Sequence, residues 1–264
     1  MNDFTYHAPT SMDEAVAALR GGGAKLIAGG QSLLPVMKLN LAAPSDLVSL
    51  AGVPGLADIA DGGDSVTVGA MCTHAQVAGS SIVQTRIPAL AAMADGIGDA
   101  QVRNAGTIGG SVAHNDPAAD YPAACVALRA TIVTDRREIH SDDFFQGMFM
   151  TPLEDDEVIT AVRFPVASRA AYAKFANPAS KYAVAGVMVA QRGDTVRVAV
   201  TGASGDGVFR VAAMEEALEA CFCGESVAGI AVSSDGMLSD TAAGAEYRAH
   251  LVTVMAKRAA EACE

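Results

Sequence analysis

The sequence contains no uncharged apolar run near the roughly 18–20 residues that a membrane-spanning helix requires, so no membrane insertion is expected. The opening residues M-N-D-F-T-Y-H-A-P-T carry neither a basic cluster nor an apolar core, so no secretion signal is visible and the chain reads as cytoplasmic. Basic residues are scarce. With 18 Lys and Arg against 30 Asp and Glu, the formal charge is −12, which repels phosphate backbones over most of the surface and argues against a nucleic-acid partner. The five cysteines (Cys72, Cys125, Cys221, Cys223, Cys263) are scattered and include no C-x-x-C. Reduced structural thiols are expected, and an iron–sulfur or zinc site within this chain is not supported. Also missing are G-x-x-x-x-G-K-[ST] and G-x-G-x-x-G, which removes the P-loop and the Rossmann fold on motif grounds.

What is present is enough apolar residue, 51% of 264 positions, to build one large domain or two modest ones. S-M-D-E at Ser11 reads as a capping box for a helix that the glycines at 21–23 stop. A strand over residues 25–28 then runs into the turn G-G-Q-S-L-L-P. Further strands are expected at residues 46–50 and 65–70, and residues 82–94 read as one helix with Pro88 near its first turn. Residues 123–134 carry a buried strand pair or a helix and strand. Phe144, Phe145, Met148 and Phe149 are expected to pack as core under a loop, and the acids at 154–157 to form a solvated turn before the strand V-I-T-A-V-R-F-P. V-A-S-R-A-A after Pro165 reads as a linker. Beyond it, residues 187–190 and 196–200 flank a Q-R-G-D-T turn as a hairpin, and residues 211–220 and 242–262 read as helices, the second with Tyr247, Leu251, Val254 and Arg258 along one stripe.

The densest chemistry lies in R-N-A-G-T-I-G-G-S-V-A-H-N-D-P-A-A-D, residues 103–120, with Gly106, Gly109, Gly110, Thr107, Ser111, His114, Asp116 and Asp120. Glycines let a backbone approach a ligand closely, and N–H groups crowded in a tight turn suit phosphate oxygens. Paired with the turn at residues 28–32, this stretch could grip a diphosphate. Thr107, Ser32 and Ser111 offer hydroxyl donors, and Asp120 an acceptor for sugar or polyol hydroxyls. A second reading takes His114, Asp116 and Asp120 as ligands of a metal-dependent hydrolase, although His7, His74, His140 and His250 lack ligand-like spacing.

A-G-G-Q-S-L-L-P (28–35) and residues 103–120 resemble the two signature loops of the FAD-binding medium subunit of molybdenum hydroxylases, the xanthine dehydrogenase and carbon monoxide dehydrogenase family. Y-A-K-F-A-N-P-A-S-K-Y-A-V-A-G-V (172–187) is similar to the start of that family's C-terminal domain, and Y-R-A-H-L-V-T-V-M-A-K-R-A (247–259) to its last helix. The resemblance implies an α+β chain: a two-lobed FAD-binding domain of the vanillyl-alcohol-oxidase (PCMH) type over residues 1–165, lobes about 1–54 and 55–165. A smaller C-terminal α/β domain would follow over residues 166–264. It implies that Leu26, Ile27, Ala28, Gly29, Gly30, Gln31, Ser32 and Leu33, with Thr107, Ile108, Gly109, Gly110 and Ser111, hold the FAD diphosphate. Asp120 would hold a flavin-chain hydroxyl, Lys174 would sit near the flavin, Tyr182 would lie against the isoalloxazine, and Ile159 would contact the cofactor through its backbone. Lys181 departs from the family, whose members often carry an acid there.

The function so implied is that of an FAD-carrying electron-transfer subunit with no general acid or base of its own. Its expected partners are a molybdopterin-binding large subunit and a [2Fe–2S] small subunit, as a dimer of heterotrimers; the absence of cluster-binding cysteine patterns fits that division. The rival is a non-redox binding or scaffold module of the same fold.

Overall fold

Ser11 Oγ accepts the N–H of Glu14 at 3.3 Å, and the Glu14 carboxylate reaches back to the N–H of Thr10 at 2.8 Å, one residue before the reciprocal box predicts. The computed structural model describes residues 1–263. Its first lobe is β1 (Thr5–His7), α1 (Met12–Leu19), β2 (Ala24–Ile27), α2 (Leu33–Lys38) and β3 (Asp46–Ser49). The strands are parallel in the order β1-β3-β2, with the helices as crossovers, because parallel neighbours cannot be joined by a tight turn. Ala15, Val16 and Leu19 of α1 pack with Val48, Leu50 and Val158.

The second lobe comprises β4 (Ile59–Asp61), β5 (Ser65–Gly69), α3 (His74–Gly79), α4 (Ser81–Arg86), α5 (Pro88–Asp95), α6 (Ala100–Ala105), α7 (Ile108–His114), α8 (Tyr121–Ala127), β6 (Thr131–Thr134), β7 (Glu138–His140), α9 (Ser141–Phe144) and β8 (Ile159–Pro165). Its antiparallel sheet runs β4-β5-β8-β6-β7. The single helix expected over 82–94 is two: Ile87 leaves the helical region at φ −142°, ψ 66°, and Pro88 begins α5 at a position where its missing N–H costs nothing. The run expected as glycine turn from Thr107 is helical from Ile108 onward, with Thr107 Oγ1 accepting the N–H of Gly110 at 3.2 Å. Of the aromatic group at 144–149, Phe144 is core, whereas Phe149 is exposed on a left-handed backbone, φ 56°. The acids at 154–157 are not a solvated run. Glu157 is buried and takes both its oxygens to Arg137, while Arg136 pairs with Glu154 and Asp156.

β9 (Arg169–Ala176), β10 (Ala183–Arg192), β11 (Thr195–Thr201) and β12 (Phe209–Arg210) form an antiparallel sheet in the order β12-β11-β10-β9. The expected linker is therefore already strand from Arg169. Alternate residues of β10 serve two cores: Met188 and Ala190 face the second lobe, while Val187 and Val189 face α10 (Ala212–Ala220), α11 (Gly224–Ala228) and α12 (Ala245–Ala262). With both faces covered, the strand reads as a continuous apolar run. On α12 the buried face carries Arg248, Leu251, Val252, Met255, Ala256 and Ala259, so the predicted stripe is rotated; Tyr247 and Arg258 are exposed. Arg197 of β11 clamps Asp142 with two bonds of 2.6 and 2.7 Å and donates to the Val126 carbonyl, tying this sheet to the second lobe. Among the described residues no helix is long and apolar enough to cross a membrane.

Candidate functional site

The two glycine-bearing stretches touch. A Cβ on Gly29 would lie 2.0 Å from the Ala105 carbonyl oxygen and 2.7 Å from Gly106 Cα, so only glycine lets the loop after β2 lie flush on the end of α6. Gly30 turns that loop with φ 70°. Facing it, residues 70–74 hold the second stretch: Gly109 N–H donates to the Ala70 carbonyl, Ile108 N–H to that of Cys72, and His74 N–H to that of Gly106. Between the lobes opens a cleft of about 880 Å³, within the ~300–1,000 Å³ range of cofactor pockets.

Leu26, Ile27, Ala28, Gly29, Gly30, Gln31, Ser32, Leu33, Thr107, Gly109, Gly110, Ser111, Asp120, Ile159 and Tyr182 all line this cleft, as do Lys181, His114 and Asp116. Two sequence-derived residues do not. Ile108 is fully buried in the second core, and Lys174 stands behind Asp120, bonded to it at 3.0 Å and to the Gly96 carbonyl at 2.9 Å. The two glycine stretches also divide their work differently from the expectation. The N–H groups of Ile108, Gly109, Gly110 and Ser111 are taken by the chain itself. Those of residues 29–32 donate to nothing among the described residues, and all four residues line the cleft. A row of unclaimed N–H groups beside glycines suits an oxyanion, and Ser111 lines the same cleft.

Asp120, buried at 5% exposure, accepts from Tyr172 Oη at 2.5 Å as well as from Lys174. Burial pushes its carboxyl upward, and the Lys174 ammonium and the Tyr172 hydroxyl oppose that push. Its loop is pinned to the C-terminal sheet: Thr201 Oγ1 reaches the carbonyls of Pro117 and Ala119 at 2.9 and 2.6 Å, and the N–H groups of Gly202 and Ala183 meet those of Pro117 and Ala118. His74, which carried no sequence signal, also lines the cleft; burial and Arg103 push its imidazole down to about 4, so it is neutral near pH 7. Met71, Ile97 and Phe149 join it as apolar wall.

The hydrolase reading is not favoured. His114 rests on the Phe149 ring at 4.9 Å, Asp116 accepts the Ala118 N–H at 2.8 Å, and Asp120 is committed to Lys174 and Tyr172. Among the described residues no three His, Cys, Asp or Glu side chains converge as metal ligands. Nor is a scaffold that has lost its ligand favoured, since the open N–H row and the cleft are both intact.

Comparison with known proteins shows the family and the fold. The chain is 39% identical to the carbon monoxide dehydrogenase medium chain of Hydrogenophaga pseudoflava, over 98% of this chain and 96% of that one. It is 38% identical to the nicotine 6-hydroxylase medium subunit of Paenarthrobacter nicotinovorans, over 96% and 94%. Its fold superposes on the solved carbon monoxide dehydrogenase of Hydrogenophaga pseudoflava with a TM-score of 0.86 at 37% identity, covering 98% of this chain and 96% of that one. Residues 2–167 match the family described as the FAD binding domain in molybdopterin dehydrogenase. With that match covering more than half of the chain and supplying most of the cleft's lining, the protein belongs to that family and is a flavoprotein subunit of an oxidoreductase.

Proposed function

We propose that this chain carries FAD as the electron-transfer subunit of a heterotrimeric molybdopterin-dependent hydroxylase or dehydrogenase. It passes electrons from [2Fe–2S] clusters of a small partner subunit to an external acceptor, while a large molybdopterin-binding subunit oxidises the substrate. The reading rests above all on the unclaimed N–H groups of residues 29–32, which line the same cleft as Asp120. When bound, FAD supplies the redox chemistry, and the protein supplies binding, orientation and local charge. The N–H groups of residues 29–32 hold the diphosphate, with Ser111 adding a hydroxyl. Asp120 accepts a hydrogen bond from a hydroxyl of the flavin chain. Lys174 acts through Asp120, holding its carboxyl in place and opposing the upward push of burial. Ile159 and Tyr182, which line the cleft, would contribute wall for the ring system. Residues 1–165 form the FAD domain and residues 166–264 a second domain that braces it, in a cytoplasmic dimer of heterotrimers.

The medium-subunit names of the relatives support the partner assignment. Purified full-length chain is expected to be yellow, with a flavin spectrum bleached by dithionite, and to co-purify from its native source with a molybdenum-containing and an iron–sulfur subunit. Colourless protein that cannot be reconstituted with FAD overturns the cofactor role. A yellow protein isolated without those partners overturns the assembly.

A further inference from the structure

The cysteines occupy two kinds of environment. Cys72 and Cys125 are buried, the first thiol pushed up to about 11 and the second higher by loss of solvent, so both are inert. Cys221 is exposed and Cys223 partly so, on the connection between α10 and α11, and neither lines the FAD cleft. Their sulfurs lie 3.5 Å apart. The Cys223 N–H donates to the Cys221 carbonyl at 2.9 Å, a three-residue turn that draws the two residues together. The middle residue, Phe222, is held under the Arg169 guanidinium, 4.3 Å from the ring centroid. Ser226 completes the group, its hydroxyl 2.5 Å from the Cys221 carbonyl oxygen and 3.1 Å from Cys223 Sγ.

We propose that Cys221 and Cys223 form a reversible dithiol–disulfide site that reacts with low-molecular-weight disulfides. The Cys223 thiolate attacks one sulfur of the external disulfide, forming a mixed disulfide and releasing one thiol. Cys221 then loses its proton and attacks Cys223 Sγ, forming the intramolecular bond and releasing the second thiol. Two protein thiols are oxidised and one external disulfide is reduced to two thiols, with one proton passing to each released thiolate. The sulfurs need only close from 3.5 Å to the ~2.05 Å of a disulfide, which side-chain rotation supplies within the fixed turn. Hydrogen bonding by Ser226, and secondarily by Cys221, lowers the Cys223 thiol from its ordinary value and makes it the attacking group. The Ser226 proton serves the Cys221 carbonyl in the thiol form and swings to Cys223 Sγ as the thiol ionises. In a reducing compartment such a pair is transient and reports the thiol–disulfide poise.

Trypsin cuts after Arg210 and Arg248, releasing residues 211–248 with Cys221 and Cys223 as the peptide's only cysteines. After the full chain is incubated with oxidised glutathione, this peptide is expected to be lighter by two hydrogens and to refuse iodoacetamide until dithiothreitol restores both thiols. The variants C221S and C223S are expected to hold glutathione as a stable mixed disulfide. Wild-type peptide that remains alkylated at both thiols, or that retains glutathione, overturns the proposal, and this measurement decides even if the serine variants fold poorly. Ser226→Ala keeps both cysteines and is expected to slow iodoacetamide alkylation of Cys223 several-fold near neutral pH; an unchanged rate overturns the role given to Ser226.

Discussion

Tyr172 Oη donates to Asp120 Oδ1 at 2.5 Å, joining the third sheet to a loop that lines the cleft. Room for that hydroxyl comes from across the sheet: a Cβ on Gly186, on the neighbouring strand β10, would lie 2.1 Å from Tyr172 Oη. A glycine in the middle of a fully buried strand otherwise weakens it. Here it admits the phenol that fixes the carboxylate, so a position remote in sequence from the glycine turns shapes the wall of the cleft.

Tyr172→Phe is expected to leave the buried Asp120 with Lys174 alone and to cost about 1–3 kcal/mol of stability. Gly186→Ala should reproduce the effect by displacing Tyr172. Urea unfolding and FAD affinity by fluorescence quenching check both variants, and an affinity unchanged in Tyr172→Phe would detach Asp120 from the cofactor.

Gly29→Ala has nowhere to put its methyl, because the atoms it meets are backbone of Ala105 and Gly106 and cannot move as a side chain can. The loop must lift and its N–H row must turn. FAD affinity is expected to fall by at least about tenfold, ~1.4 kcal/mol. Gly21→Ala is the control: nothing lies within 4 Å of its Cβ, and stability should change by less than about 0.5 kcal/mol. Equal retention of FAD in the two variants would count against residues 29–32 as the diphosphate cradle.

The glycine stretches and Asp120 were legible because their chemistry is local: glycines, hydroxyls and a carboxylate within a few residues of one another. Which stretch keeps its N–H groups free was not, since Ala70 and Cys72 claim those of Gly109 and Ile108 from another strand end. His74 was illegible for the same reason, its place in the wall arising from packing against Gly106 and Tyr121. In the last helix, the stripe read from periodicity ran through Tyr247 and Arg258, which are exposed, whereas Arg248 is inside and bonded to carbonyls of two other segments. The pairing of Cys221 with Cys223 depended on a turn at Phe222 that no residue type announces. Elements with their own punctuation were read well: the cap at Ser11, the β10–β11 hairpin, and the strand over residues 159–165.

Glu157 gives the fold an acid-sensitive latch. Its carboxylate accepts from Arg137 Nε and Nη2, Thr134 Oγ1 and the Glu154 N–H, which hold it down to about 2 from an ordinary 4.5, with Arg137 the largest cause. A depressed acid contributes stability that is present above its unfolded pKa and lost as the folded form is protonated. Stability from this group, on the order of 1–3 kcal/mol, should therefore fall as pH drops from about 4.5 toward 2. Glu157→Gln is expected to be less stable than the parent at pH 7 and nearly equal to it at pH 2, as read from urea midpoints. A difference that stays constant across that window would remove Glu157 as the titrating latch.

Arg248 closes the C-terminal sheet from below, at 3% exposure. Its Nη1 donates at 2.7 Å to both the Val184 and Gly202 carbonyls, and its Nη2 at 2.8 Å to Asp240. Gly202 also donates its N–H to Pro117, in the loop that positions Asp120, so the guanidinium and the cleft share a backbone segment. Arg248→Met strips two buried carbonyls of their donor and is expected to cost about 2–4 kcal/mol. Arg248→Lys should recover only part of that, because one ammonium on a flexible stem does not reproduce the planar fork. Asp240 is half exposed, and Asp240→Asn keeps an acceptor while removing the charge, so its cost should stay below about 1 kcal/mol. Denaturant unfolding of the three variants separates the carbonyl bonds from the ion pair. If Asp240→Asn proved as damaging as Arg248→Met, the ion pair rather than the carbonyl bonds would be what holds α12 to the sheet.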